Sequence, residues 1–146
     1  MMMVAMAATI SVVFTTCSKD ENKPEEINSD IIKDKLFFDN LEATTSSDFI
    51  VFNRDGTYYY DIRTEYFTGD YKIFESQKSM GILSYIWMGN ELEAEYEYTL
   101  FKMNVIGNNN FEQLWVYHLG DGGIIVYFYS KNEVMQKLMF RRVGFS

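Results

Sequence analysis

DFIVFNRDGTYYYDIR, residues 48–63, sets a pattern that the rest of the chain repeats. Two extended, aromatic-rich segments flank the tetrapeptide Asn53-Arg54-Asp55-Gly56. Within it Asn and Asp tolerate the left-handed backbone region, and Gly56 accepts a positive φ because it has no Cβ to clash. Such a turn between two alternating apolar runs predicts a β-hairpin.

The remainder of the chain reads as further short strands joined by turns. The predicted strands are Phe49–Asn53, Thr57–Glu65, Tyr71–Glu75, Ile82–Met88, Glu93–Val105, Phe111–Leu119, Ile124–Tyr129 and Lys137–Val143. Turns are expected between them, among others at Thr68–Asp70 and Ser76–Gly81. Because no segment supplies the helical crossover that a parallel pair requires, adjacent strands should pair antiparallel. Regularly spaced short strands are typical of a β-sandwich or β-barrel.

The alternation of side chains indicates which strand faces are buried. Between Glu91 and Tyr98 all the glutamates point to one side, and past Thr99 the apolar positions shift by one residue. This shift predicts a β-bulge near Thr99–Leu100. By contrast, Leu114–Tyr117 and Ile124–Tyr129 are apolar on both faces. Their second face must be covered by a helix, a ligand or another chain.

The segment Ile31–Leu41 is the obvious candidate for this cover. Its apolar residues recur at near-helical spacing, and Ser29 or Asp30 is suited to cap a helix there. We favour a short N-terminal helix, with a first strand as the alternative.

Length and composition limit the class of protein. The chain of 146 residues is long enough for one domain, and its 11 Tyr, 12 Phe and single Pro favour β-structure over helix. A net charge of −8 without a basic patch argues against nucleic-acid binding.

The N-terminus has the pattern of an export signal. Met1 to Thr16 is apolar or small throughout, too short to span a bilayer and suited to a signal-peptide core. Cys17, the sole cysteine, follows at once, and residues 18–30 are charged and contain the proline. We therefore expect a signal peptide over 1–16, a flexible tether over 17–30 and one folded domain over 31–146.

Residues 1–22 resemble a bacterial lipoprotein signal, in which the cysteine after the apolar run carries the lipid. The resemblance implies that Cys17 anchors the protein to the outer membrane, in the periplasm or at the cell surface. Lys19-Asp20-Glu21 after the lipidated cysteine looks like the acidic tract that favours surface export in Bacteroidetes-type lipoproteins. Two or more acyl chains hold a protein stably at a membrane.

A second resemblance covers residues 31–143. The Asn-x-Asp-Gly-Thr-Tyr turn at Asn53–Tyr58, Gly69-Asp70-Tyr71 at a strand start, and the ending Leu138–Val143 are similar to the small lipocalin-like lipoproteins of Bacteroidetes. The resemblance implies a single antiparallel up-and-down β-barrel of about eight strands on a lipid tether.

The sequence predicts no catalytic, metal or cofactor site. The glutamates Glu91–Glu97 stand too far apart on one strand for several to bind one Ca²⁺ without help from a neighbouring strand, and they suit a solvated face. His118, the sole histidine, has no nucleophile motif or second ligand to accompany it. Gly120–Gly123 lacks the Lys and the helix of a phosphate loop and is read as a hairpin turn.

Tyr and Trp carry the functional prediction because they combine apolar area with a polar group. The candidate ligand-binding residues are Trp87, Trp115, Tyr58, Tyr60, Tyr117 and Tyr127. They would line the barrel mouth and bind a small hydrophobic or glycan ligand, or else fill the interior and form cross-strand pairs. The protein is accordingly predicted to be a non-enzymatic binding protein. The alternative is a lipoprotein whose sheet face docks an envelope protein partner.

Overall fold

The computed structural model describes residues 27–38, 48–62, 65–87, 89–107 and 110–145. This part of the chain contains a 3-10 turn, Ser29–Ile32, and nine strands. The strands are β1 (Lys35–Phe38), β2 (Phe49–Phe52), β3 (Thr57–Ile62), β4 (Glu65–Trp87), β5 (Asn90–Ile106), β6 (Gln113–Leu119), β7 (Ile124–Ser130), β8 (Glu133–Phe140) and β9 (Arg142–Phe145). The predicted all-β class is confirmed.

The strands form one sheet in the order β8-β7-β6-β5-β4-β3-β2-β1-β9, and its neighbours pair antiparallel. β8 and β9 stand at the two ends of this order, but only Arg141 separates them in the chain. The hydrogen-bonded strands therefore form a ring. A parallel contact between Ile86 of β4 and Leu138 of β8 closes a second, smaller ring through β5, β6 and β7.

The hairpin predicted at Asn53–Gly56 is present between β2 and β3. The amide of Gly56, whose φ is 95°, donates to the carbonyl of Asn53 at 3.1 Å. Asp55 accepts from the amide and hydroxyl of Thr57 at 3.0 and 2.7 Å, which lowers the pKa of its carboxyl. Local turn chemistry therefore fixes this connection.

The predicted short N-terminal helix is wrong. Residues Ser29–Ile32 form a single 3-10 turn whose cap is Asn28, and β1 follows within three residues. Phe37 of β1 is fully buried, and β1 pairs with β2 on one edge and β9 on the other. Pairing on both edges overrides the near-helical spacing of the apolar residues.

Two predicted turns, Thr68–Asp70 and Ser76–Gly81, are wrong because both lie inside the 23-residue strand β4. Position 69 requires glycine because a Cβ there would lie 2.5 Å from the carbonyl oxygen of Ile106 on β5. Glycine within a strand often marks a close approach of another backbone.

The predicted bulge near Thr99–Leu100 is also misplaced. The register of β5 runs unbroken through these residues, and the irregularity lies on β4 at Phe74, between Ile73 and Glu75. Leu100 and Phe101 are both buried because they point into different apolar clusters on opposite faces of β5. The shift of the apolar positions in the sequence therefore reflects a change in which face of β5 is covered by other residues.

Two apolar clusters share the strands β6, β7 and β8. The first cluster includes Ile32, Phe37, Tyr58, Tyr60, Phe101, Leu114, Val116, Ile124, Val126, Phe128 and Phe140. The second cluster, on the opposite face, consists of Leu83, Leu100, Tyr117, Leu119, Ile125 and Met139, with Tyr85, Trp87, Tyr96, Tyr98, Trp115 and Tyr127 packed against them.

The second face of β6 and β7 is covered by the last residues of β4 and the first residues of β5, 80–87 and 90–97, which we call the arm. Leu83, Tyr85 and Tyr96 of the arm pack in the second cluster. The expectation that Ile31–Leu41 provides this cover is wrong for its described residues, 31–38, since Ile32 and Phe37 belong to the first cluster. Residues 39–41 lie outside the described part of the chain.

Candidate functional site

The structure separates the six candidate ligand-binding residues into two groups. Tyr58 and Tyr60 lie in the first cluster, where their side chains are 0% and 2% exposed. Tyr60 packs against the rings of Phe128 and Phe140 with centroids 5.3 and 6.1 Å apart. The four others, Trp87, Trp115, Tyr117 and Tyr127, all belong to the second cluster.

Polar contacts hold the arm on the second cluster. The hydroxyl of Tyr127 donates to the carbonyl of Ser84 at 2.8 Å and accepts from its amide at 3.1 Å. The ammonium of Lys137 bonds Ser84 Oγ and Glu91 at 2.9 and 2.7 Å. Trp87 is engaged by Arg141, whose guanidinium lies 5.1 Å from the ring centroid. Trp87 and Tyr127 therefore act in the attachment of the arm.

Trp115 lies on the same sheet face, where it meets a different set of neighbours. Its ring centroid is 4.7 Å from that of Tyr129, and the ammonium of Lys102 lies 4.1 Å from the indole. Lys102 in turn forms an ion pair with Glu75 at 3.2 Å. A cation over an indole face is an attractive contact, so Lys102 and Tyr129 hold Trp115 in place.

A small polar cleft opens beside Tyr129. Its volume is about 200 Å³, and it is lined by Asn104, Glu112, Gln113, Tyr129 and Asn132. The indole N–H of Trp115 donates to Gln113 Oε1 at 3.1 Å, and Gln113 Nε2 donates to Asn104 Oδ1 at 3.2 Å. These two bonds fix the orientation of the side-chain amides of Gln113 and Asn104, because the oxygen of each amide accepts one of the bonds.

The β7–β8 turn supports the same cleft. Lys131 and Asn132 both have positive φ, 53° and 68°, which is uncommon for residues other than glycine. The carboxylate of Glu112 accepts from the amide of Lys131 at 2.9 Å. Because Ser130 pairs with Glu133, Lys131 and Asn132 form a two-residue hairpin loop, and the type I′ turn typical of such loops has positive φ at both residues.

The tyrosines near the cleft stay protonated at neutral pH. Burial raises the pKa of Tyr129, and the nearby Tyr127 adds to that effect. Burial also raises the pKa of Tyr117. Tyr129 therefore contributes a protonated phenol to the lining of the cleft, together with one carboxylate and three amides.

A wider cleft of about 530 Å³ lies where the arm leaves the sheet. It is lined by Lys78, Ser79, Met80, Glu97, Tyr98, Thr99, His118, Leu119 and Gly120. Burial lowers the pKa of His118, and the positive charge of Lys35 acts in the same direction. The imidazole is therefore neutral at pH 7.

Within the described residues no group of three or more His, Cys, Asp and Glu is arranged to hold a metal ion. Of the glutamates on β5, Glu91 pairs with Lys137, and Glu93, Glu95 and Glu97 are exposed. Cys17 lies outside the described residues. No helix in the described ranges is long and apolar enough to cross a membrane.

Sequence reasoning found Trp115 but missed its polar neighbours. Asn104, Glu112 and Asn132 come from the end of β5, the start of β6 and the β7–β8 turn, where polar residues are expected in any sheet. The register between the strands brings them together, and a single sequence carries no signal for that.

Comparison with protein-family models, with curated proteins and with solved structures found no match.

Proposed function

We propose that this protein is a lipid-anchored envelope lipoprotein that binds a glycan, without enzymatic activity, on an up-and-down β-barrel. The single observation that supports the glycan is the polar cleft beside Tyr129 and Trp115. A carboxylate, three amides and a phenol hydroxyl suit the hydroxyl groups of a sugar, and an aromatic ring suits its apolar face. A purely hydrophobic ligand would offer no partner to the donors and acceptors that the hydrogen bonds within the cleft leave unused.

The size of the cleft indicates how much of the ligand it holds. Pockets that enclose a whole small ligand measure about 300–1,000 Å³. At about 200 Å³ this cleft suits one sugar ring of a larger glycan.

The strand register supports the barrel. Followed from Arg142 through β1, β2 and β3, it reaches Tyr66 of β4. Followed from Phe140, two residues before Arg142, through β7, β6 and β5, it reaches Lys78 of β4, which is 12 residues beyond Tyr66 (78 − 66). A stagger of this kind is what a closed barrel of tilted strands requires.

Calorimetric titration with neutral oligosaccharides tests the binding function. We expect Tyr129→Ala to weaken binding by about tenfold or more, equivalent to about 1.4 kcal/mol, because the ring contact is lost. Tyr66→Ala is the matched control, since Tyr66 is 62% exposed elsewhere on the sheet. Equal losses in both variants, or no binding of any oligosaccharide by the native protein, would refute the proposal.

A further inference from the structure

The first residues of β5 have a strand edge, on the side away from β4, that no other strand of the described chain pairs with. Residues Asn90–Glu97 pair with β4 on one side, whereas β6 pairs with β5 only from Tyr98 onward. All of these residues except the half-buried Tyr96 are exposed. Unpaired strand edges are templates for the addition of another strand.

Two observations show which backbone groups point outward from this edge. The amide of Val105 donates to the carbonyl of Glu112, beside the start of β6, so alternate residues of β5 point their amides to that side. On β4, Ser84 uses its amide and carbonyl to bond Tyr127, on the edge away from β5. Its partner Glu93 therefore belongs to a pair without mutual hydrogen bonds and directs its own amide outward.

It follows that Glu91, Glu93 and Glu95 each offer an N–H and a C=O at the edge, because the β5 register is unbroken. Glu97 borders the ladder to β6, which begins with the pairing of Tyr98 and Leu119. The side chains of these residues lie on the outer face of the arm. The residues between them, Leu92, Ala94 and Tyr96, lie on the face of the second cluster.

We propose that this edge binds an extended segment of another protein, in which basic and apolar residues alternate, as an added β-strand. Residues opposite Glu93 and Glu95 would share their face and pair with them by charge, whereas Glu91 already pairs with Lys137. Residues opposite Leu92 and Tyr96 would pack against the apolar side. Backbone hydrogen bonds supply affinity in strand addition, and the alternating side chains supply specificity.

The charge pattern discriminates against a second copy of this chain. Two β5 edges laid side by side would place glutamates against glutamates, and like charges directly opposite one another are destabilising. The wide cleft lies in line with β6, at the position where an added strand would pass Glu97 and Tyr98. This interaction is independent of the glycan site, which lies beside Tyr129.

Fluorescence anisotropy with a labelled peptide that alternates Lys and Val tests the interaction. We expect saturable binding that weakens with added salt, because screening reduces the charge contribution. A peptide that alternates Glu and Val, and one in which Lys and Val are grouped in blocks, should bind about tenfold more weakly or not at all. Equal binding of the alternating and the block peptide would overturn the proposal.

Two variants separate the backbone contribution from the charge. Glu95→Pro removes one outward N–H and leaves the ladder to β4 intact, since proline is tolerated on edge strands. We expect it to weaken binding by about tenfold or more. Glu95→Gln keeps the N–H and should lose only a few-fold. Native-like binding by Glu95→Pro would contradict strand addition.

Hydrogen exchange on the unaltered protein provides a measurement that does not depend on the variants. The peptide should slow exchange at the amides of Glu93 and Glu95. Unchanged exchange at both amides under saturating peptide would refute the proposal, as would a concentration-dependent dimer that the peptide does not dissociate.

Discussion

His118 links the stability of the sheet to pH. It is the second-last residue of β6 and lines the wide cleft, where it is half-buried. Burial and the charge of Lys35 lower its pKa, and Asp121 opposes them only in part. Folding therefore favours the neutral form of the His118 side chain over the charged form.

Replacing this side chain should change the pH dependence of stability. Since the pKa of His118 is lower in the folded state, the unfolded chain takes up the proton first as the pH falls below about 6.5. The contribution to stability is thus complete above that pH and is lost as the pH falls through the folded pKa. We expect His118→Gln to reduce the loss of unfolding free energy between pH 7 and pH 5, measured by urea denaturation. Parallel curves for the variant and the native protein would contradict this.

At the level of elements, the length of β4 accounts for most of the architecture. Its first part pairs with β3, its middle with β5 inside the sheet, and its last part forms the arm. The bulge at Phe74 lies in the middle part of β4, between the residues that pair with β3 and those of the arm. Bulges bend a strand and increase its twist. The polar residues of Ser76–Gly81, which suggest a turn, lie in the strand because both of its faces are exposed from Gln77 to Met80.

Gly69→Ala tests whether β4 depends on the close approach to β5. The added Cβ would lie 2.5 Å from Ile106 O and 3.2 Å from the Tyr58 ring, so a strand must shift. Overpacking of this kind costs about 1–3 kcal/mol. Gly120→Ala is the matched control because nothing lies within 4 Å of its added Cβ. Urea unfolding of both variants measures the difference, and an unaffected Gly69→Ala would show that the strands can separate freely.

On the scale of the whole molecule, one set of strands serves two apolar clusters. The first cluster fills the space inside the larger ring of strands, and the arm closes the second on the opposite face. The polar cleft lies at the far end of the same outer face, beside Trp115 and Tyr129. The arm and the β5 edge thus leave the proposed glycan site open.

Cys17→Ala tests the proposed anchor. The acyl chains of a lipoprotein each contribute about 0.8 kcal/mol per buried CH₂, so their loss should release the protein from membranes into the soluble fraction. Ser18→Ala should leave the distribution unchanged. Fractionation by ultracentrifugation, with the mass of the mature N-terminus, provides the measurement. Continued membrane partitioning of the Cys17→Ala protein would refute lipidation.

What the sequence determined by itself is local. The Asn53–Gly56 hairpin, the antiparallel meander and the two apolar faces of β6 and β7 follow from turn chemistry and side-chain period, which act over a few residues. Only the tertiary structure decided that β1 is a strand and that the arm covers the second face, because each depends on pairing between residues far apart in the chain. The polar cleft has the same origin: strand register places Asn104, Gln113 and Asn132 together, and register follows from the packing of the whole sheet.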